Sequence, residues 1–129
     1  MFIEMDFDSE EALYMQLHDQ IILGIAKSLI NEGDQLPSVR SMAEEIGINM
    51  HTVNKAYALL RDEGFLHLDQ RRGAVISIDM KKIENMTHFK NDLKIIMARA
   101  VLKGISRDEI HEAVDEICDE WQIEFGKEA

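Results

Sequence analysis

The sequence predicts a mostly α fold with a small β-hairpin wing: a winged helix-turn-helix followed by a C-terminal helical tail. Three observations carry that expectation. Apolar residues recur at helical spacing in five stretches, two short stretches of this kind are separated only by residues 47–49, and the segment 65–78 alternates apolar and polar residues about a basic centre.

From Ser9, read as an N-cap with Glu10 and Glu11 in the first turn, the apolar residues Leu13, Leu17, Ile21, Ile25 and Leu29 mark a first helix that should end before Gly33. Ser38 then caps a short second helix in which Val39, Met42, Ala43 and Ile46 fall on one face before Gly47. Asn49 caps the third, whose buried stripe is Val53, Ala56, Tyr57 and Leu60 and whose end is Gly64. Two short helices across a glycine turn form a helix-turn-helix, and a hairpin directly after them, with its tip at Asp69-Gln70-Arg71-Arg72-Gly73, forms a wing. Beyond Asp79, Phe89, Leu93, Ile96, Met97, Ala100 and Val101 mark a fourth helix that also carries Lys90, Lys94, Arg99 and Lys103. Ser106 and Glu109 form a capping box for a fifth, with Ile110, Ala113, Val114, Ile117, Cys118 and Trp121 in one stripe. Residues 9–78 thus read as one domain and 79–129 as a helical appendage whose two helices cannot make a core alone.

At 129 residues with 46% hydrophobic and 30% charged composition and one proline, the chain should fold, and it is too short for a large multidomain enzyme. Its one cysteine, Cys118, has no intramolecular partner, the acidic start lacks the order of a signal peptide, and no apolar run approaches a membrane span, so a cytoplasmic protein without membrane insertion is expected. No P-loop, Gly-x-Ser-x-Gly, His-Glu-x-x-His or Gly-x-Gly-x-x-Gly pattern occurs, and no His/Cys pair has zinc spacing. Neither an enzyme nor a metal or other cofactor is expected. The net charge of −11 would disfavour a polyanion as partner, but it is unevenly placed: residues 1–34 carry eight acids and one base, whereas residues 35–78 carry five of each. In the tail, residues 80–107 hold seven bases and two acids, and residues 108–129 hold nine acids and one base, a separation that suits pairing across an interface.

With its stripe turned inward, the third helix presents His51, Asn54, Lys55 and Ala58, and Asn49, Met50 and Thr52 near its start. Asn54 suits adenine and Lys55 suits guanine or phosphate, while free N–H groups at the helix start suit a phosphate. Arg40, off the stripe of its helix, either contacts DNA or pairs with Glu44 on the surface. The run Gln35-Leu36-Pro37-Ser38-Val39-Arg40, then Met42-Ala43, Ile46-Gly47-Ile48, Thr52-Val53, Ala56-Tyr57 and Leu60-Arg61-Asp62-Glu63-Gly64-Phe65-Leu66, resembles the GntR transcription regulators over about residues 9–78. By that resemblance Ser38, Arg40, the helix start from Asn49 to Lys55 and the tip Gln70, Arg71 and Arg72 contact double-stranded DNA. The short two-helix tail is similar to the YtrA-like subfamily, which implies a homodimer joined through Phe89, Leu93, Ile96, Met97, Ala100, Ile110, Val114, Ile117 and Trp121. Two positions depart from the family pattern: Met50 stands where an arginine is common, and Arg71 occupies the first glycine position of a Gly-x-Gly wing.

The expected function is therefore a DNA-binding transcriptional regulator, a repressor by preference, that reads a pseudo-palindromic operator as a homodimer. The alternative is a winged-helix module that docks a protein and does not bind DNA. A small effector seated between tail and wing is a further possibility, although no polar constellation in the sequence identifies one.

Overall fold

The computed structural model describes residues 3–79 and 86–121. Its elements run α1 (Leu13–Ala26), α2 (Val39–Ile46), α3 (Met50–Asp62), β1 (Leu66–Asp69), β2 (Gly73–Ile76), α4 (Met86–Leu102) and α5 (Arg107–Trp121). The chain divides into two compact units, Met1–Ile83 and Glu84–Ala129.

In the first unit α1 and α2 both pack on α3, and the hairpin follows α3 directly. Leu17 and Ile21 of α1, Met42 of α2, Val53 and Leu60 of α3, and Ile76 of β2 meet in one core with almost no exposed surface. The two helices of the helix-turn-helix begin and end where side chains can serve the free backbone groups. Ser38 and Asn49 cap α2 and α3, and Gly47, at φ 75°, closes α2 in a left-handed conformation that a side chain would strain.

The first helix is shorter than expected at both ends. Ser9 lies in a turn, its N–H donating to the Asp6 carbonyl and its hydroxyl accepting from Glu11 N–H, and α1 begins after Ala12 with no side-chain cap. The segment before it is instead bound sideways to α1. Gln16, buried, accepts from Asp6 N–H at 2.9 Å and donates to the carbonyls of Asp6 and Glu11, while Ile3 enters the core. At the other end Ser28 takes φ 62°, so the N–H groups of Leu29 and Ile30 both bond to the Gly24 carbonyl and the helix stops well before Gly33. Leu29 thereby leaves the stripe and is 60% exposed, and Ile30 is buried in its stead.

β1 and β2 pair antiparallel, with Leu66 opposite Ile76 and Asp69 opposite Gly73. The second strand does not alternate: Ala74, Val75 and Ile76 are all buried. The reason lies on its other edge, where Gln35 forms a bridge with Val75, Leu36 N–H donates to Ala74, Gly33 N–H donates to Ile76, and Ile76 N–H donates to Asp34. Paired on both sides, β2 ties the wing to the connector between α1 and α2.

The second unit contrasts sharply. No residue of α4 or α5 is buried. Phe89, Ile96 and Met97 on α4 and Val114 and Ile117 on α5 are exposed, and Leu93, Ala100, Ile110 and Trp121 are half-buried. Ile95 and Leu102, off the expected stripe, are exposed as well, Leu102 at 87%. The capping box forms as expected: Glu109 N–H donates to the Ser106 hydroxyl and Ser106 N–H to the Glu109 carboxylate, which holds that carboxyl below its usual range.

Candidate nucleic-acid interface

Two helix starts and one turn supply the expected contact residues. Ser38 Oγ accepts from Ser41 N–H at 3.1 Å, and Asn49 Oδ1 accepts from His51 N–H at 2.6 Å. Both side chains are committed as caps, which leaves the Ser38 hydroxyl proton and the Asn49 amide N–H groups for a ligand. The two starts are held in register by Tyr57, whose buried ring sits in the core and whose hydroxyl donates to the Pro37 carbonyl at 2.7 Å. Burial pushes the Tyr57 pKa up, helped by the charge of Glu45, so this hydroxyl stays a donor.

Because Val53, Ala56, Tyr57 and Leu60 are buried, Met50, His51 and Asn54 emerge on the solvent side of α3, with Thr52 half-buried beside them. Lys55 does not stand free on that face. Its Nζ lies 4.0 Å from the centre of the Tyr14 ring, a cation–π contact that draws it toward α1. Nothing in the spacing of α3 announces this, since the partner is on another helix. Arg40, at the start of α2, is exposed and its side chain has no partner among the described residues, so the surface pair with Glu44 does not form.

At the wing tip Asp69 organises the turn. Its Oδ1 accepts from the N–H groups of Arg71 at 2.7 Å and Arg72 at 3.0 Å, and the Arg72 guanidinium lies 3.6 Å from Oδ2. The hydrogen bonds from Arg72 and Arg71 keep the Asp69 carboxyl below its usual range, so its charge offsets part of that of Arg72. Gly73 supplies the φ of 76° that returns the chain into β2. Gln70 and Arg71 are exposed, and Arg71 is the cation of the tip without an acidic partner among the described residues.

A groove of about 130 Å³ runs between these parts, lined by Val39, Asn54, Ala58, Arg61, Leu66 and Leu68 among others. It joins the start of α2, the outer face of α3 and the first wing strand. Arg61 is a cation of this face to which the sequence alone gives no role, although its seven-residue spacing from Asn54 places both on one side of α3. Its guanidinium is 3.5 Å from Asp62, a long and solvent-exposed contact worth little in water. Among the described residues no group of three or more His, Cys, Asp or Glu side chains is arranged to hold a metal ion, and no helix is long and apolar enough to cross a membrane.

The model of the gntR family of bacterial regulatory proteins matches residues 11–76, which takes in α1, both helices of the helix-turn-helix and the wing. The helix-turn-helix-type transcriptional repressor YtrA of Bacillus subtilis is 36% identical over 118 residues, covering 89% of this chain and 91% of the repressor. Among solved structures, a transcriptional antiterminator from Listeria monocytogenes superposes with a TM-score of 0.81 at 27% identity over 94% of this chain and 92% of that one. YtrA from Sulfolobus acidocaldarius, a GntR-family transcription factor, superposes with a TM-score of 0.65 at 39% identity over 79% of this chain and 99% of that one. Similarity that spans the wing and most of the remaining chain settles the family: this chain belongs to the gntR family of bacterial regulatory proteins.

Proposed function

We propose that the chain is a cytoplasmic, sequence-specific DNA-binding transcriptional regulator that acts as a homodimer, represses its genes and reads a pseudo-palindromic operator. The observation that carries the reading is the exposed set His51, Asn54, Arg40 and Arg71, polar and cationic, on a helix-turn-helix and wing whose caps and core leave those side chains to solvent. In the proposed complex the start of α3 enters the major groove, Asn54 and His51 reach base edges, Arg40 and the Ser38 hydroxyl hold the flanking phosphates, and the tip from Gln70 to Arg72 reaches the neighbouring groove or backbone. Lys55 would leave the Tyr14 ring for a phosphate, or remain there and position α3 against α1. A protein-docking face would show exposed apolar or acidic groups throughout, whereas here the exposed Met50 and Leu68 stand among polar and basic side chains.

The two exposed helices of the tail supply the dimer. Two such chains related by a two-fold axis present two recognition helices, which favours an operator with two half-sites. Selection of the purified protein on a random duplex library tests the reading. A two-fold symmetric winner is expected, with affinity that falls steeply as salt rises. Replacing Arg71 and Arg72 together by alanine should make the salt slope shallower by about one for each phosphate that is no longer neutralised. Failure to enrich any sequence would turn the reading toward a docked protein.

A further inference from the structure

Leu68 is the most exposed large apolar side chain among the described residues of the first unit, at 63%. The strand explains where it points. Leu66 and Leu68 share one face of β1, Leu66 is buried against the core, and Leu68 carries that face beyond the core along the wing. Both line the groove of about 130 Å³ between α3 and β1, with Val39, Ala58 and Arg61 among others. Of the described residues in that lining, Arg61 alone is charged. The groove is well under the roughly 300–1,000 Å³ of a pocket that encloses a small molecule, which disfavours an effector there. An apolar wall beside one guanidinium instead matches a sugar–phosphate unit, in which an anionic phosphate is joined to a deoxyribose with an apolar carbon edge.

The place of the groove in the fold selects the same occupant. It begins beside Ser38 and Arg40, the proposed phosphate contacts at the start of α2, because Val39 between them lines it. It then passes the outer face of α3 and ends on β1, at the root of the wing. With α3 in a major groove and the wing tip at the neighbouring groove, the backbone strand that divides the two grooves crosses between helix and wing. Seven residues beyond Asn54, Arg61 lies about 10 Å further along α3, too far back to read the same base.

The nearby acids leave Arg61 available. Glu63 is bonded to His18, and Asp69 to the N–H groups of Arg71 and Arg72. Asp62 meets the Arg61 guanidinium at 3.5 Å, with both side chains exposed. Exchange of that long contact for a phosphate would give a shorter, bidentate pair.

Resting on the DNA-binding reading above, we infer that the groove between α3 and β1 seats one unit of the DNA backbone: the Arg61 guanidinium holds the phosphate, and Leu68 covers the edge of the adjoining deoxyribose. The contact carries no base information, so it adds affinity and fixes the register of α3 and wing on the duplex.

The test uses the full-length chain and the operator duplex obtained by selection. Arg61→Gln should bind operator and random duplex alike at least about tenfold more weakly, with a salt slope shallower by about one for each phosphate no longer neutralised. Arg61→Lys keeps the charge without the paired N–H groups, so it should keep the slope and recover part of the affinity. Leu68→Ser should weaken binding several-fold with the slope unchanged, because it neutralises no phosphate. Neutral methylphosphonate linkages, placed one at a time along the duplex, locate the contact. One linkage in each half-site, on the strand between the two grooves, should weaken the wild type and leave Arg61→Gln unaffected. If Arg61 serves only as the cation in the last turn of α3, Arg61→Gln should melt earlier while its salt slope and its response to every linkage match the wild type. That result, or wild-type affinity in Arg61→Gln, overturns the seat and leaves the DNA-binding reading standing. A wild type that enriches no duplex overturns both.

Discussion

Leu60 of α3 and Ile96 of α4 are branched aliphatic side chains in the middle of helices, yet Leu60 has no exposed surface and Ile96 is 61% exposed. The difference separates two ways of using an amphipathic helix. In the first unit α1, α2, α3 and β2 each bury apolar residues in a common core, so the proposed binding face rests on a frame completed within one chain. The tail helices carry apolar stripes as well, but none of their residues is fully buried. Helices of 17 and 15 residues owe most of their stability to packing, which in the proposed homodimer the partner supplies. The first unit determines where the proposed reading groups stand. In the proposed homodimer the second determines how many such units act together.

Truncation at the two positions should separate the regions most strongly. Leu60→Ala is expected to remove about 2 to 5 kcal/mol from the first unit, by reduced burial and the cavity left behind. Thermal unfolding at any protein concentration should register it. Ile96→Ala should hardly change unfolding at high dilution, but should lessen the rise of melting temperature with protein concentration that a dimer displays. Equal losses at high dilution would break the comparison.

Arg40→Ala tests whether the binding face is independent of both regions. If the guanidinium holds a phosphate, operator affinity should fall by about 1 to 3 kcal/mol, with melting temperature and self-association unchanged. Glu44→Ala should leave affinity nearly unaltered, since no pair joins it to Arg40. Anisotropy titrations on one operator duplex measure both, and a null effect of Arg40→Ala would remove that residue from the interface.

A smaller effect is expected at Tyr57. Tyr57→Phe keeps the ring in the core but leaves the Pro37 carbonyl without its donor, at a cost of about 1 kcal/mol. Since that bond spans α3 and the residue before the Ser38 cap, operator affinity should fall along with stability. Loss of stability alone would mean that the starts of α2 and α3 are placed without it.

The helix-turn-helix is legible in the sequence because its signals are local. Ser38, Gly47 and Asn49 act within one turn of their own positions, and the stripe Val53, Ala56, Tyr57 and Leu60 repeats within one helix. The ends of α1 are not. Ser28 adopts a left-handed conformation usually left to glycine, and Ser9 resembles a cap but bonds within its own turn. The burial of β2 on both faces depends on Gln35, and the position of Lys55 on Tyr14, each about forty residues away in the chain. A periodicity read over a dozen residues carries no trace of partners so distant. The same holds for Tyr57, whose spacing places it correctly in the core but gives no sign of its hydroxyl's partner at Pro37.

His18 shows no more in the sequence than an ordinary polar residue would, and in the structure it is a buried link within the first unit. Its Nδ1 lies 2.8 Å from Asp19 and its Nε2 2.5 Å from Glu63, the residue that ends α3. Both ring nitrogens can donate only in the imidazolium. Burial disfavours that cation, but the hydrogen bonds and charges of Glu63 and Asp19 outweigh it and raise the His18 pKa above 6.5. The positive ring also offsets the Glu63 carboxylate at the negative end of α3. A histidine with a raised pKa in the folded state stabilises fully below about pH 6.5, its unfolded value, and loses that contribution as pH rises through the folded value. The melting temperature should therefore drift downward as pH rises above about 6.5, by less than the changes above, and His18→Gln should flatten that drift. The drift should belong to the first unit alone, so it should persist in Ile96→Ala at a dilution where self-association is absent. A drift that vanished with the dimer would move the titrating contact to the tail and leave His18 with a packing role only.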